Sequence, residues 1–423
     1  MKVPINLALA VRSLWARRYT ALLTILSIAT AVLLFLAVEN LRHGARASFE
    51  RTISGTDLIV GARSSPVNLV LYSVFQIGDP TNNITWETYQ DIAARPDVAW
   101  AVPISLGDTH RGYRVVGTTP EYFERYKYAD QQNIAFKEGQ VFDDLFDTVL
   151  GAQVARDLGY DMETTLTLSH GLGATSFVNH DKKPFRVAGI LEPTGTPVDR
   201  SVYVSVAAVE AIHAGWQDGT PTAISRGISQ DRLRALDIEP ESVTALLVGA
   251  TSRIQTLRLQ RDLNTFAQEP LQAVIPGVAL SQLWGTVSIV ERALAIVSGF
   301  VVAVGLIGVL TSILTTLNER RREMAILRSV GARGRTIIGL LVSEAALIAL
   351  VGAVLGVVML YVLVWALGPY LEARFSIGAI KKIPGMTEVY IVTALTAIAA
   401  LLGLIPALTA LKRSVSDGLS TRV

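Results

Sequence analysis

The chain has 423 residues, half of them hydrophobic, with a formal net charge of +2 and no cysteine. Thiol nucleophiles and disulfide scaffolds are excluded, and the balanced charge points away from nucleic acid as a partner. A mean hydropathy of +0.41 is too apolar for a soluble protein and too polar for one lying wholly in a bilayer.

In chain order, Val3–Arg18 carries Ile5, Leu7, Leu9, Val11, Leu14 and Trp15 among basic residues, which predicts a helix over 1–18, either interfacial or a cytoplasmic extension of the first span. The apolar run from Tyr19 predicts a first transmembrane helix over 19–40. It is longer than a signal-peptide core and has no small-x-small cleavage site, so it reads as an uncleaved anchor. Further apolar runs predict transmembrane helices over 285–317, 337–367 and 389–411. Lys2, Arg12, Arg17 and Arg18 precede the first span, and Lys412 and Arg413 follow the last. Both termini and the loop 318–336 are therefore expected in the cytoplasm, in a multi-pass protein of a bacterial inner membrane. The block 41–284 and the loop 368–388 then lie outside.

Within that outer block, strand-like and helix-like segments alternate. Asp57–Val60 reads as a strand, Thr85–Ala94 as a helix capped by Thr85, and Val98–Leu106 as a strand. Later, Val202–Val206 and Ala207–His213 form a strand and a helix, as do Val243–Gly249 and Thr251–Phe266. Gln272–Leu280 is expected to close as a strand. The middle, 112–191, is richer in β signals. The expected fold is four transmembrane helices with a large α/β domain between helices 1 and 2, its α/β part split by a β-rich insertion. Between Ser64 and Ile84, Leu69–Phe75 is expected to be a core element. Glu192–Arg200, rich in Pro and Gly, is expected to be a fixed structural turn.

The loop 318–336 is the most informative segment. Arg320, Arg321, Arg322, Arg328, Arg333 and Arg335 crowd it, yet Met324, Ile326, Leu327 and Val330 recur among them at helical spacing, and Gly331 sits at a C-cap position. A short amphipathic helix at the inner membrane face needs a cytoplasmic partner to cover its apolar side. Glu344 lies about 11 Å along the third span from Ile337. It is expected to pair with an arginine of the adjacent loop, with intramembrane coupling as the alternative role. Gly352 and Gly356 form a G-x-x-x-G pair that permits close helix approach and hints at dimerisation.

Catalytic parts are missing. No glycine is followed by lysine, so a Walker A phosphate loop is impossible, and no H-E-x-x-H pair exists. His43, His110, His170, His180 and His213 share no ligand spacing and read as isolated surface residues, although His170 and His180 fall in one β-rich region. No catalytic residue, cofactor or metal is expected.

The stretch Asn318-Glu-Arg-Arg-Arg-Glu-Met-Ala-Ile-Leu-Arg-Ser-Val-Gly-Ala332 resembles, almost position for position, the loop motif after span two of the FtsX/MacB-type (type VII) ABC transporter permeases. The order of one span, a large outer domain and three spans is similar too. The resemblance implies a non-catalytic permease working with a separate ABC ATPase, since the chain starts a few residues before its first span. It implies a second permease copy (the same chain or a homologue), with membrane lipids around it and a periplasmic partner as a further option. It also implies mechanotransmission, in which ATP-driven motion of the spans moves the outer domain during export or extraction of a substrate. Glu319, Arg320, Arg321, Arg322, Glu323, Met324, Ile326, Leu327, Arg328, Val330 and Gly331 would be the ATPase-coupling segment. Two other functions stay open: an FtsX-like regulator of an external partner, and a membrane-anchored binding protein without an ATPase.

Overall fold

The computed structural model describes residues 5–170, 178–179, 183–217, 220–222, 228–236, 238–319, 324, 326, 328–375 and 384–412. The chain divides into a helical unit (Met1–Gly44, Ser288–Tyr370 and Ala379–Val423) and a sheet unit (Ala45–Val287 with Leu371–Gly378).

Among the described residues, four helices are long and apolar enough to cross a membrane: Arg18–Gly44, Pro276–Thr315, Gly334–Gly368 and Met386–Leu411. The helix Ile5–Ala16 precedes the first of them and is separated from it by a turn at Arg17. The fourth span is two helices, Met386–Leu402 and Leu404–Lys412. Pro406 explains the break, because it has no N–H and its ring crowds the carbonyl of Leu402 one turn earlier. Ile28 and Val32, Val309 and Ile313, Leu341 and Ala349, and Leu395 and Ala399 bring all four spans into one buried cluster.

Glycines let these helices close up. A Cβ at Gly352 would meet Ile28 Cβ at 2.8 Å and the Ile25 carbonyl at 3.0 Å. One at Gly356 would meet the Ala29 carbonyl at 2.6 Å and Val32 Cβ at 2.9 Å. The G-x-x-x-G pair is thus filled by the first span of the same chain, and the hint of dimerisation drawn from it is corrected.

The sheet unit is built on twelve strands in one sheet. Nine form its path: β1 (Leu58–Ala62), β2 (Val98–His110), β3 (Tyr113–Thr118), β4 (Phe136–Gly139), β5 (Asp147–Leu150), β6 (Phe185–Leu191), β7 (Ser201–Ser205), β8 (Ala245–Ala250) and β9 (Leu271–Val274). Their order is β9-β1-β8-β2-β3-β7-β5-β6-β4. Strands of the middle stretch 112–191 therefore share a sheet with those that flank it. β1 is buried along its whole length, between β8 and β9. It feeds two cores, as the two-residue period of a strand requires. Ile59 joins Leu247 and Val102 on one face, and Leu58 and Val60 join Leu246 and Val248 on the other. The helices Trp86–Ala93 and Arg253–Asn264 cover the second face through Ile92, Leu259 and Leu263.

Local signals place these helices. The Thr85 hydroxyl accepts from the Thr88 N–H, and Ser252 caps the later helix in the same way. Pro66–Ser73 is a helix burying Leu69, Val70 and Tyr72, in agreement with the expected core element. In the turn 192–200, the buried Asp199 carboxylate accepts from the N–H groups of Thr194 and Gly195, each at 2.8 Å, and from the Thr194 hydroxyl. One expectation fails: Gln272–Leu280 is not a single strand. β9 ends at Val274, and the helix Pro276–Glu319 begins two residues later. Proline cannot donate to a ladder, whereas the first position of a helix has no use for the missing N–H. Ala279 and Leu280 then bury the start of that helix in the core of the sheet unit.

Candidate functional site

Of the arginine-rich loop, Met324, Ile326 and 328–336 lie within the described residues, and Met324, Ile326, Arg328 and Ser329 are helical. The Val330 N–H donates to the Ile326 carbonyl at 3.1 Å and the Gly331 N–H to the Arg328 carbonyl at 3.0 Å. Gly331, at φ +96°, then ends the turn in the left-handed region. The side chains divide. Met324 is half-buried and packs against the core of the helical unit. Arg328, one turn on, donates from Nη2 to the Leu411 carbonyl at 3.3 Å and so holds the end of the last helix. Ile326 and Val330, also one turn apart, are 50% and 82% exposed. The expectation of one apolar surface is corrected for Met324, which lies on another side from Ile326 and Val330. A step of two residues turns a helix by more than half a circle, so Met324 and Ile326 cannot share a face. Arg320, Arg321, Arg322, Glu323 and Leu327 lie outside the described residues, as does the side chain of Glu319.

Glu344 is 4% exposed. Its described contact is not with the loop: the Ser13 hydroxyl, on the N-terminal helix, donates to Oε1 at 3.3 Å. Serine is common in such helices, and its spacing from Glu344 in sequence carries no signal.

The histidines differ more from expectation. His43 is exposed and pairs with Glu39 at 2.8 Å, as a surface residue should. His110 is 5% exposed and lies between the Thr167 carbonyl at 2.8 Å and the Tyr160 hydroxyl at 2.9 Å. Burial holds its pKa below the usual imidazole value. His170 and His213 are not isolated. His170 Nδ1 lies 3.1 Å from Oδ1 of the buried Asp108 and 3.0 Å from His213 Nε2. Burial alone would lower the pKa of His213, but the hydrogen bond and charge of Asp108 outweigh it and raise the value overall. His180 lies outside the described residues.

This cluster is assembled by long-range pairing. The strand Ser169–His170 pairs with β2 in the register His170↔Asp108, which puts the two side chains on one face. His213 ends the helix Val206–His213 that follows β7. That helix stops under Lys183, a buried lysine whose Nζ donates to the carbonyls of Ala211 and Ile212 at 2.8 and 3.0 Å.

Comparison with known proteins fits both units. Residues 21–264 match the model of the MacB-like periplasmic core domain, and residues 295–415 that of the FtsX-like permease C-terminal region. The macrolide export ATP-binding/permease protein MacB of Acinetobacter baylyi is 25% identical over 369 residues, 83% of this chain and 50% of the relative. The pyoverdine export ATP-binding/permease protein PvdT of Pseudomonas savastanoi pv. phaseolicola is 24% identical over 363 residues, 82% and 50%. The chain thus spans about half the length of the curated relatives it matches. The crystal structure of the periplasmic region of MacB from Actinobacillus actinomycetemcomitans aligns with 55% of this chain and 94% of its own, at 10% identity and a TM-score of 0.32. The first family model covers more than half of the chain and the second most of the rest, and the chain is a member of the FtsX/MacB-type ABC transporter permeases.

Proposed function

We propose that this chain is the non-catalytic permease subunit of an ABC transporter complex, driven by a separate ATPase and moving its periplasmic domain to export or extract a substrate. The observation that carries the reading is the pair Ile326 and Val330. Both are large, apolar and exposed, one turn apart, on a helical segment that Met324 and Arg328 tie to the helical unit on its other side. A segment anchored on one face and apolar on the opposite face is suited to take force from a partner and pass it to the spans. Relatives named as ATP-binding/permease proteins favour an ATPase as that partner. Arg320, Arg321, Arg322 and Glu323 belong to the same ATPase-coupling segment in this reading. The cargo of the relatives, a macrolide in one and pyoverdine in another, favours export over uptake. Glu344, buried against Ser13, is a candidate link between the third span and the N-terminal helix.

Burial of Ile326 in an ATPase groove contributes roughly 1.5–3 kcal/mol, and Ile326→Asp reverses it by placing a charge in the contact. The complex purified from its own host should lose the ATPase with Ile326→Asp, while the permease still reaches the membrane. A Glu138→Lys substitution, on the exposed strand β4 of the sheet unit, should leave the complex intact. Retention of the ATPase at normal turnover in the Ile326→Asp variant would put the anchored-binding-protein function ahead.

A further inference from the structure

We propose that Asp108, His170 and His213 bind one divalent transition-metal ion, Zn2+ foremost, within the periplasmic domain. Three potential ligand atoms converge: Asp108 Oδ1, His170 Nδ1 and His213 Nε2. Their separations are 3.1 Å, 3.0 Å and 3.5 Å. Zinc bonds of about 2.0–2.1 Å to nitrogen and oxygen imply tetrahedral edges of about 3.3 Å, so the triangle has the size of one face of a zinc site. An ion there needs adjustments of a few tenths of an ångström.

The surroundings prepare the donors. His213 Nδ1 lies 2.8 Å from the Val209 carbonyl of its own helix, which can only accept. Nδ1 therefore carries a proton, which leaves Nε2 as the atom of this ring that can present a lone pair to a metal ion. An outer hydrogen bond of this kind fixes the tautomer of a metal-ligating histidine. Asp108 is held by β2, and its side chain is 1% exposed. A buried carboxylate next to two imidazoles is costly unless a cation compensates it, and a dication does so without protonating either ring. The imidazoles of His170 and His213 are 38% and 22% exposed, so an ion can enter from solvent. Trp216 walls the cluster, its ring centroid 5.2 Å and 4.8 Å from the two imidazoles. Two histidines and one carboxylate suit zinc, and three protein ligands leave the fourth position to water or to a ligand from outside the chain. The three donors come from β2, from the strand Ser169–His170 and from the end of a helix, so the bound ion pins together segments far apart in sequence.

The test uses the full chain, without a histidine tag, purified in detergent and stripped with a chelator. Zn2+ is titrated against a chromophoric competitor, and Co2+ is titrated while the visible absorption of a tetrahedral complex is followed. One ion per chain is expected, together with a melting temperature that rises with added Zn2+. His170→Ala and His213→Ala should each weaken Zn2+ binding by more than about 100-fold, the upper end of what losing an outer-shell partner does. His43→Ala should leave it unchanged. If the unaltered chain binds no stoichiometric Zn2+, or if both cluster variants fold and bind it as before, the site does not exist. The unaltered chain decides the question even where a variant fails to fold.

Discussion

At the scale of single residues, the chain separates places where an atom is required from places where one is tolerated. Gly356 faces the Ala29 carbonyl at a distance no Cβ can keep, whereas a Cβ at Gly308 meets nothing within 4 Å. Gly356→Ala should therefore destabilise the helical unit by about 1–3 kcal/mol through overpacking. Gly308→Ala should be neutral or slightly stabilising, since alanine is the better helix former. Thermal melts in one detergent would compare them, and equal behaviour would remove the packing explanation. Asp199 is a second such place. Asp199→Ala leaves the N–H groups of Thr194 and Gly195 without their acceptor, at about 1–3 kcal/mol for each that stays buried. Burial also raises the pKa of this carboxyl above its usual value, against the pull of those hydrogen bonds. The folded chain then takes up the proton before the unfolded chain does. Its titration makes stability fall as pH rises from the unfolded value through the folded one, and recover as pH is lowered. Relative to Asp199→Asn, which does not titrate here, the unaltered chain should gain stability as pH is lowered from neutral into the carboxylate range. A difference that shrank towards acid would contradict this.

At the scale of elements, what the sequence made legible was local. The cap at Thr85, the left-handed Gly331 and the fixed turn around Asp199 each rest on one or two neighbouring side chains, and all could be read from composition and spacing. The long apolar runs were legible for the same reason. What escaped was contact across distance. His170 and His213 are 43 positions apart and meet only because a two-residue strand pairs with β2. The sequence held one weak sign, a β-rich region with two histidines, but no spacing that named Asp108. The faces of the arginine-rich segment escaped as well, since the partner of Arg328, the Leu411 carbonyl, is 83 residues away. Lys183 belongs to the same class. It ends the helix Val206–His213 from outside that helix, so Lys183→Met, which keeps bulk and removes the donor, should cost about 1–3 kcal/mol. Denaturant unfolding of the full chain would measure it, and an unchanged midpoint would mean that water serves those carbonyls equally well.

At the scale of the whole molecule, the chain divides into one sheet unit and one helical unit, a division that hydropathy already suggests. Orientation is open to direct measurement because the chain has no cysteine of its own. In intact cells with a permeabilised outer membrane, an impermeant thiol reagent should label Lys137→Cys on β4 and leave Ser329→Cys unlabelled until the inner membrane is opened. The reverse pattern would invert the topology. The glycine seam between the first and third spans limits how such a molecule can work. Ile28 and Val32 sit over Gly352 and Gly356 with no room for a single extra carbon. Sliding one helix past the other by a turn, about 5.4 Å, would bring one of those side chains over the second glycine but drive the other onto Ile348 or Leu360, each of which has a Cβ. Sliding along this seam is thus opposed by at least one contact, and a motion of the first span past the third has to begin by parting the two helices.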